Sequence, residues 1–316
     1  MHTAYTGDQL LSPPRPPIGL SPPSPHLPLS LADEAAAERW FAAEHSCLLA
    51  IQQLATTQGW HDTVWQLAWA MGNFHRLRGH FHEELTVWQP GLTAAEQLTD
   101  ADCQAVAHRR VGRALARLGK RTEAFDHLHR ALAWAERDGA LHGQALVHQS
   151  LAQLWGDYED DQRTLEHATQ ALRLFRHLDM PAWEAVALNT VGWCRARQGN
   201  YHQAHEDCEA ALSGSTRNGD LHGEALAANS LGYIAHHTGN HTQAVDYYKR
   251  ALTLLHDHGD AYEKASTLER AGHPLLALGH RARARAVWQQ AVQLLENQHR
   301  ITDANRIHQH LRQLDM

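Results

Sequence analysis

The fold is decided by one stretch of the chain, Leu231–Ala251, which reads LGYIAHHTGNHTQAVDYYKRA. Gly232 lies in an apolar run, and Gly239-Asn240 follows it seven residues later. Such a pair typically ends a helix, because glycine accepts the left-handed backbone that closes the last turn. Ala244 and Ala251 then place small side chains on one face of a second helix. The stretch therefore predicts two helices joined by a tight turn.

Small residues recur along the chain at a period of 40 residues. Two glycine columns are Gly72, Gly112, Gly192, Gly232, Gly272, with Ala152 at the missing step, and Gly79, Gly119, Gly199, Gly239, Gly279. Three alanine columns are Ala105, Ala145, Ala185, Ala225, Ala265; Ala124, Ala204, Ala244, Ala284; and Ala131, Ala171, Ala211, Ala251, Ala291. Small residues allow two helices to cross closely. Repetition at this period predicts a solenoid of helix pairs.

The order Leu-Gly, then Ala-x3-aromatic, then a later Ala resembles the tetratricopeptide repeat (TPR) family, best over residues 221–298. The resemblance implies an all-α fold: a right-handed, TPR-like superhelical solenoid of antiparallel helix pairs. The repeat of about 40 residues exceeds the usual 34 of that family. HEAT and armadillo arrays share the longer period, but they do not explain the combined glycine and alanine columns.

The chain is predicted to have four parts. Residues 1–31 hold eight of the eleven prolines and are expected to form an arm or linker, because proline interrupts helices and sheets. Residues 32–59 are expected to form an N-terminal capping helix pair, and residues 300–316 a C-terminal capping helix. Six repeats lie between them, at 60–99, 100–139, 140–179, 180–219, 220–259 and 260–299. In the third repeat, Trp155-Gly156-Asp157-Tyr158 predicts a displaced turn.

The composition excludes several classes of protein. The net charge is -7 with its 27 histidines neutral, so the chain is no polycation, and direct nucleic-acid binding is not expected. Four cysteines without CxxC spacing favour a reducing cytoplasm over a disulfide framework. No apolar run is long enough for a membrane span.

The sequence lacks the motifs of common enzymes. It has no phosphate-binding loop, dinucleotide fingerprint, HExxH or GxSxG motif, so we expect neither an enzyme nor a cofactor. Asp157-x-Glu159-x-Asp161 begins like a calcium loop but lacks its central glycine and final glutamate. His236, His237 and His241 straddle a turn and could converge, but we expect no metal there.

In TPR arrays the first helix of each pair lines a concave groove, and the resemblance implies which residues face that groove. Carried over position by position, they are Arg109, Arg113, Arg117, Gln149, Gln153, Asn189, Trp193, Arg197, Asn229, Tyr233, His236 and His237. The expected partner is a protein or peptide, with a small ligand as a further possibility.

Two residue types in this set suggest how a ligand would be held. Asn189 and Asn229 are one repeat apart, and an amide can both donate to and accept from a peptide backbone. Arg109, Arg113 and Arg117 are four residues apart and share a helical stripe that could select a carboxylate. The alternative is that the arginines pair with acidic residues of adjacent helices.

Other passages resemble the C-terminal TPR arm of actinobacterial SARP-type and related NB-ARC (STAND) transcriptional regulators. They include Trp40-Phe41-x2-Glu44, Trp65-Gln-Leu-Ala-Trp69, Ala187-Leu-Asn-Thr-Val-Gly-Trp193 and Asn229-Ser-Leu-Gly-Tyr233. The resemblance implies a sensor or interaction module, either a separated arm or a stand-alone relative, without ATPase or DNA-binding activity of its own. The competing hypothesis is a structural scaffold that self-associates, with an inert groove.

Overall fold

The computed structural model describes residues 1–11, 18–20, 28–257, 261–298 and 300–315. These residues form α-helices and no strand. The helices are α1 His2–Leu10, α2 Glu34–Thr57, α3 His61–Arg78, α4 Phe81–Leu98, α5 Ala101–Arg117, α6 Arg121–Arg137, α7 Leu141–Asp157, α8 Asp161–His177, α9 Pro181–Arg197, α10 Tyr201–Asn218, α11 Leu221–His237, α12 His241–Asp257, α13 Ala261–Ala277, α14 Arg281–Asn297 and α15 Ile301–Asp315. None of the helices found in these ranges is both long and apolar enough to cross a membrane.

The chain divides into two compact units. The first comprises Met1–Arg76 with His80–Leu154, and the second comprises Leu77–Gly79 with Trp155–Met316. In the first unit α1 packs on α2, α4 on α5 and α5 on α6. In the second, each helix from α8 to α14 packs on the helix that follows it. In addition, α11 contacts both α9 and α13, so the first helices of three successive pairs form one continuous layer.

The helix pairs are closed by tight turns with left-handed backbone. Gly119, Gly199 and Gly239 have φ of 73°, 82° and 84°, where glycine carries no Cβ penalty. In the third repeat Glu159 takes this conformation instead, with φ of 60°, and α7 runs on to Asp157. The displaced turn predicted at residues 155–158 is therefore wrong: the turn keeps its place and forces a glutamate into the position that glycine holds elsewhere.

The first glycine column lies where the two helices of a pair cross. A Cβ added at Gly112 would lie 2.9 Å from Leu128 Cγ, and one added at Gly232 would lie 3.0 Å from the ring of Tyr248. Both distances are shorter than a carbon–carbon contact allows, so each crossing needs a residue without a side chain. The sequence-based interpretation of this column as a close-packing position is confirmed at Gly112 and Gly232.

The N-terminal segment differs from expectation. Residues 1–31 do not form one extended arm, because residues 2–10 fold into α1 and Ala4 is fully buried. Tyr5 stacks on Trp69 of α3 with ring centroids 5.5 Å apart. Residues 12–17 and 21–27, which carry most of the prolines, lie outside the described residues. The helix pair expected at residues 32–59 is instead the single helix α2, whose N-terminus is capped by Asp33.

Candidate ligand-binding face

Two asparagines occupy equivalent positions on neighbouring inner helices of the second unit. Asn189 lies on α9 and Asn229 on α11, and Asn229 is only 6% exposed. Among the described residues, neither side-chain Oδ1 has a hydrogen-bond partner, although both atoms are buried. A buried polar atom left unpaired costs about 1–3 kcal/mol. Two acceptors in one column are therefore left unsatisfied by the described side chains around them.

Aromatic rings lie one helical turn beyond the amides. Trp193 and Tyr233 meet edge to face with ring centroids 4.8 Å apart, and His237 contacts Tyr233 at 4.2 Å. The guanidinium of Arg270, on α13, sits 4.7 Å from the Trp193 ring centroid. The pattern of the repeat did not single out Arg270, because its contact reaches across two repeats. The predicted groove residues of α9 and α11 thus come together as an apolar floor beside the amides.

Other predicted groove residues are held within the protein. Arg197 pairs with Asp161 at 3.2 Å and donates to the carbonyl of Gly156 at 3.1 Å. The Nδ1 of His236 lies 3.1 Å from the Nδ1 of His241. Within the described part of the chain, no group of three histidine, cysteine or acidic residues is arranged to hold a metal ion. These contacts within the protein therefore engage the Arg197 and His236 groups that were expected to bind a ligand.

The remaining predicted residues belong to the first unit. Arg109 and Gln149 are buried, with 5% and 3% exposure, whereas Arg113, Arg117 and Gln153 are half-buried. The predicted arginine stripe is thus accessible only at Arg113 and Arg117.

Sequence reasoning missed the buried ion pair beside the arginine stripe. The Nη1 of Arg110 lies 4.0 Å from an Oε1 of Glu84 on α4. A signal for it was present, because Glu84 interrupts the alanine column of Ala124, Ala204 and Ala244. A carboxylate at a helix crossing needs a cation nearby.

A buried histidine makes stability depend on pH. His75 is fully buried, with its Nε2 2.8 Å from the Nε2 of His45. Burial, together with repulsion from His45 and His80, lowers the pKa of His75 to about 3. The unfolded chain therefore binds a proton near pH 6.5 that the folded chain does not bind until about pH 3, so stability is lost as pH falls through that window.

We expect His75→Gln to reduce the slope of unfolding free energy against pH by about 1.4 kcal/mol per pH unit between about pH 6 and about pH 4. Urea unfolding at a series of pH values measures this slope. The exposed His202 provides the control, and His202→Gln should leave the slope unchanged. Equal slopes for His75→Gln and the parent chain would contradict the assignment.

The TPR family model, described as tetratricopeptide repeat, matches residues 183–257, the segment that carries the amides and the aromatic floor. A search of curated proteins finds no significant relative by sequence.

Solved structures show the same fold. A Rap protein complexed with competence and sporulation factor has a TM-score of 0.59 at 15% identity, covering 80% of this chain and 75% of that one. BtubC from P. vanneervenii has a TM-score of 0.53 at 19% identity, covering 69% of this chain and 90% of that one. A STAND protein with a tetratricopeptide repeat sensor, from Pyrococcus horikoshii, has a TM-score of 0.52 at 12% identity, covering 83% of this chain and 43% of that one.

Together, the helix pairs and these similarities define the class of protein. The chain is an all-α, TPR-like solenoid, and a TPR repeat match lies within its second unit. Solenoids of this class commonly present extended surfaces for binding partners.

Proposed function

We propose that the chain is a non-enzymatic interaction module that binds an extended segment of a protein or peptide partner on the face of α9, α11 and α13. The observation that carries the proposal is the pair of buried, unpartnered amide oxygens of Asn189 and Asn229. A backbone N–H from a ligand would satisfy each of them. The amides recognise any peptide backbone, whereas the Trp193 and Tyr233 rings select an apolar side chain.

The spacing of the two amides suits an extended chain. Packed helices lie about 8–10 Å apart, so equivalent residues of α9 and α11 are separated by about that distance. An extended segment in the polyproline II conformation advances about 3.1 Å per residue with three residues per turn, so two of its N–H groups three residues apart would span the gap and point to the same side. The bound segment would cross the helices of the face rather than run along one of them.

The regulatory role is the finer part of the proposal. The resemblance to the TPR arm of SARP-type and NB-ARC regulators, and the fold shared with a STAND protein that has a tetratricopeptide repeat sensor, support a sensor arm of a transcriptional regulator. In that role, ligand binding on the face would be relayed to a transcriptional partner. A small ligand that presents an N–H donor would use the same amides.

The test is selection from a display library of randomised linear peptides of about ten residues, panned on the full chain. A recovered peptide should bind with an affinity measurable by fluorescence polarisation. Asn189→Ala combined with Asn229→Ala should weaken binding by at least about tenfold, because each change removes a hydrogen bond worth about 1 kcal/mol. The melting temperature should stay level or rise, since a buried unpaired oxygen is removed at each site.

Gln203→Ala combined with Gln243→Ala is the matched control. These two amides are also one repeat apart, but they are exposed on the outer helices α10 and α12. This variant should bind the selected peptide as the parent chain does. Undiminished binding by the Asn189 and Asn229 variant would refute the proposal.

The alternative function is a scaffold that self-associates and leaves the face empty. It predicts that no peptide is recovered and that the full chain sediments as an oligomer in analytical ultracentrifugation. It also predicts that sedimentation is the same for the Asn189 and Asn229 variant. If a recovered peptide instead competes with self-association, the peptide and a second copy of the chain bind the same face.

A further inference from the structure

Charged side chains meet inside the first unit, where α3, α4 and α5 approach one another. The side chains of Arg110 and Glu84 are 3% and 4% exposed. The guanidinium carbon of Arg110 lies 3.6 Å from the position a Cβ would take on Gly72, and Trp88 Nε1 lies 3.4 Å from the same point. The guanidinium of Arg110 therefore lies beside Gly72 of α3 and close to Trp88 and Glu84 of α4.

This region carries more positive than negative charge. Besides Arg110, the guanidiniums of Arg113, Arg76 and Arg109 all act on Glu84. Arg109 also acts on the carboxylate of Asp102. Arg117 acts on Arg113 as well, so these arginines outnumber Glu84 and Asp102 in a region largely withdrawn from water. Uncompensated buried charge is costly, so such a cluster favours a bound anion.

Hydrogen-bond donors in the same region are unused. The Nδ2 of Asn73 is buried without a hydrogen-bond partner, and the residue is 2% exposed. Asn73 lies one turn from Arg76 on α3, so the two side chains share a helix face. Asn73 and Arg113 also occupy equivalent positions in successive repeats. Neither Arg76 nor Arg113 has a carboxylate within 4.0 Å among the residues that the structure describes.

We propose that Asn73, Arg76 and Arg113 form a binding pocket for a doubly charged oxyanion, which is a phosphate group or a dicarboxylate. Guanidinium forks match the paired oxygens of such groups, and the Asn73 amide adds an N–H donor. Arg113, half-buried, is the residue through which the anion gains access. The pocket is separate from the amide face of the second unit and does not depend on it.

The burial of Arg113 supports this assignment. Removal from water, together with repulsion from Arg109, Arg76 and Arg117, lowers the pKa of Arg113 to about 9, against the opposing attraction of Glu84. A guanidinium under this repulsion is stabilised when an oxyanion binds beside it. In the free protein the charged guanidinium of Arg113 is therefore destabilised, and oxyanion binding relieves this destabilisation.

Calorimetric titration and thermal unfolding of the full chain test the pocket, with inorganic phosphate and succinate as probes and chloride at matched ionic strength as the baseline. The melting temperature should rise with probe concentration, as mass action requires for a ligand of the folded state. Binding of phosphate alone would identify a phosphate site, binding of succinate alone a dicarboxylate site, and binding of both a general dianion site. A response no larger than that to chloride would overturn the proposal.

Substitutions locate the effect. Arg113→Gln should weaken binding of the active probe at least about tenfold, the effect expected when one charge-assisted hydrogen bond is lost. In buffer without the probe its melting temperature should not fall, because the change removes a repelled charge. Arg113→Lys keeps the charge without the fork and should give intermediate affinity, which serves as the readout if Arg113→Gln does not fold.

Two controls separate this pocket from general charge effects and from the amide face. Arg217→Gln removes an exposed arginine of α10 and should bind the probe as the parent chain does. The Asn189→Ala and Asn229→Ala variant should also keep its response to phosphate or succinate, even though peptide binding is lost. Parent-like affinity in both Arg113 variants would overturn the pocket while leaving the proposed peptide-binding function intact.

Discussion

Gly272→Ala should lower the free energy of unfolding by about 3 kcal/mol. A Cβ at this position would overlap the indole of Trp288, whose Cδ1 lies 2.7 Å away. The ring cannot easily move aside, because Trp288 is 1% exposed and its Nε1 donates to the carbonyl of Glu269 at 2.8 Å. A single methyl group must therefore separate α13 from α14 or break that hydrogen bond. Urea unfolding followed by circular dichroism measures the loss.

Gly72→Ala is the matched control, because Gly72 is the first member, and Gly272 the last, of the same glycine column. A Cβ there would lie 3.4 Å from Trp88 Nε1 and 3.6 Å from Arg110, which are near-ordinary contacts. Alanine forms helices better than glycine by about 1 kcal/mol, so this variant should be neutral or slightly stabilised. A further check is Trp288→Leu, in whose background the cost of Gly272→Ala should shrink. Equal losses at Gly72 and Gly272 would contradict the steric explanation.

Glu84→Gln should cost about 3–5 kcal/mol, the range expected when one member of a buried ion pair is removed. The change keeps the shape of the side chain but withdraws the negative charge that Arg110, Arg113, Arg76 and Arg109 share. Burial raises the pKa of Glu84 and these guanidiniums oppose the rise, so removing the carboxylate leaves the arginines without the negative charge that acts on all four. Urea unfolding at neutral pH gives the difference from the parent chain.

Glu123→Gln provides the comparison for Glu84→Gln. Glu123 pairs with Lys120 at 3.8 Å, but the two side chains are 59% and 50% exposed. Water screens such pairs, and their loss costs about 1 kcal/mol or less. If the two substitutions cost the same, the carboxylate of Glu84 does not stabilise the cluster.

Local rules account for the part of the fold that was predicted from the sequence. The helices α5, α7, α9, α11 and α13 begin at residues 101, 141, 181, 221 and 261, a spacing of 40 residues. Gly239 ends a helix because only a residue without Cβ readily takes left-handed backbone, and Gly232 permits a crossing for a related steric reason. These properties belong to single residues and their near neighbours, so they can be read from the chain alone.

The candidate sites were predicted only in part. The column of Asn189 and Asn229 followed from the period, but the absence of a hydrogen-bond partner for their oxygens depends on every helix packed around them. Arg197 was expected to face a ligand and is instead bound by Asp161, a contact that connects two repeats. Periodicity gives the face on which a residue lies, whereas its partners come from other helices.

By itself, the sequence determined that this chain is a stack of helix pairs, where glycine closes a pair, and which columns carry small residues at the crossings, because sterics between neighbouring residues set all three. Tertiary structure decided that residues 2–10 pack as a helix within the first unit, that Glu84 compensates Arg110, and which polar atoms remain unsatisfied. Those outcomes depend on side chains brought together from distant parts of the chain, since burial and charge balance are properties of the packed assembly rather than of any one segment.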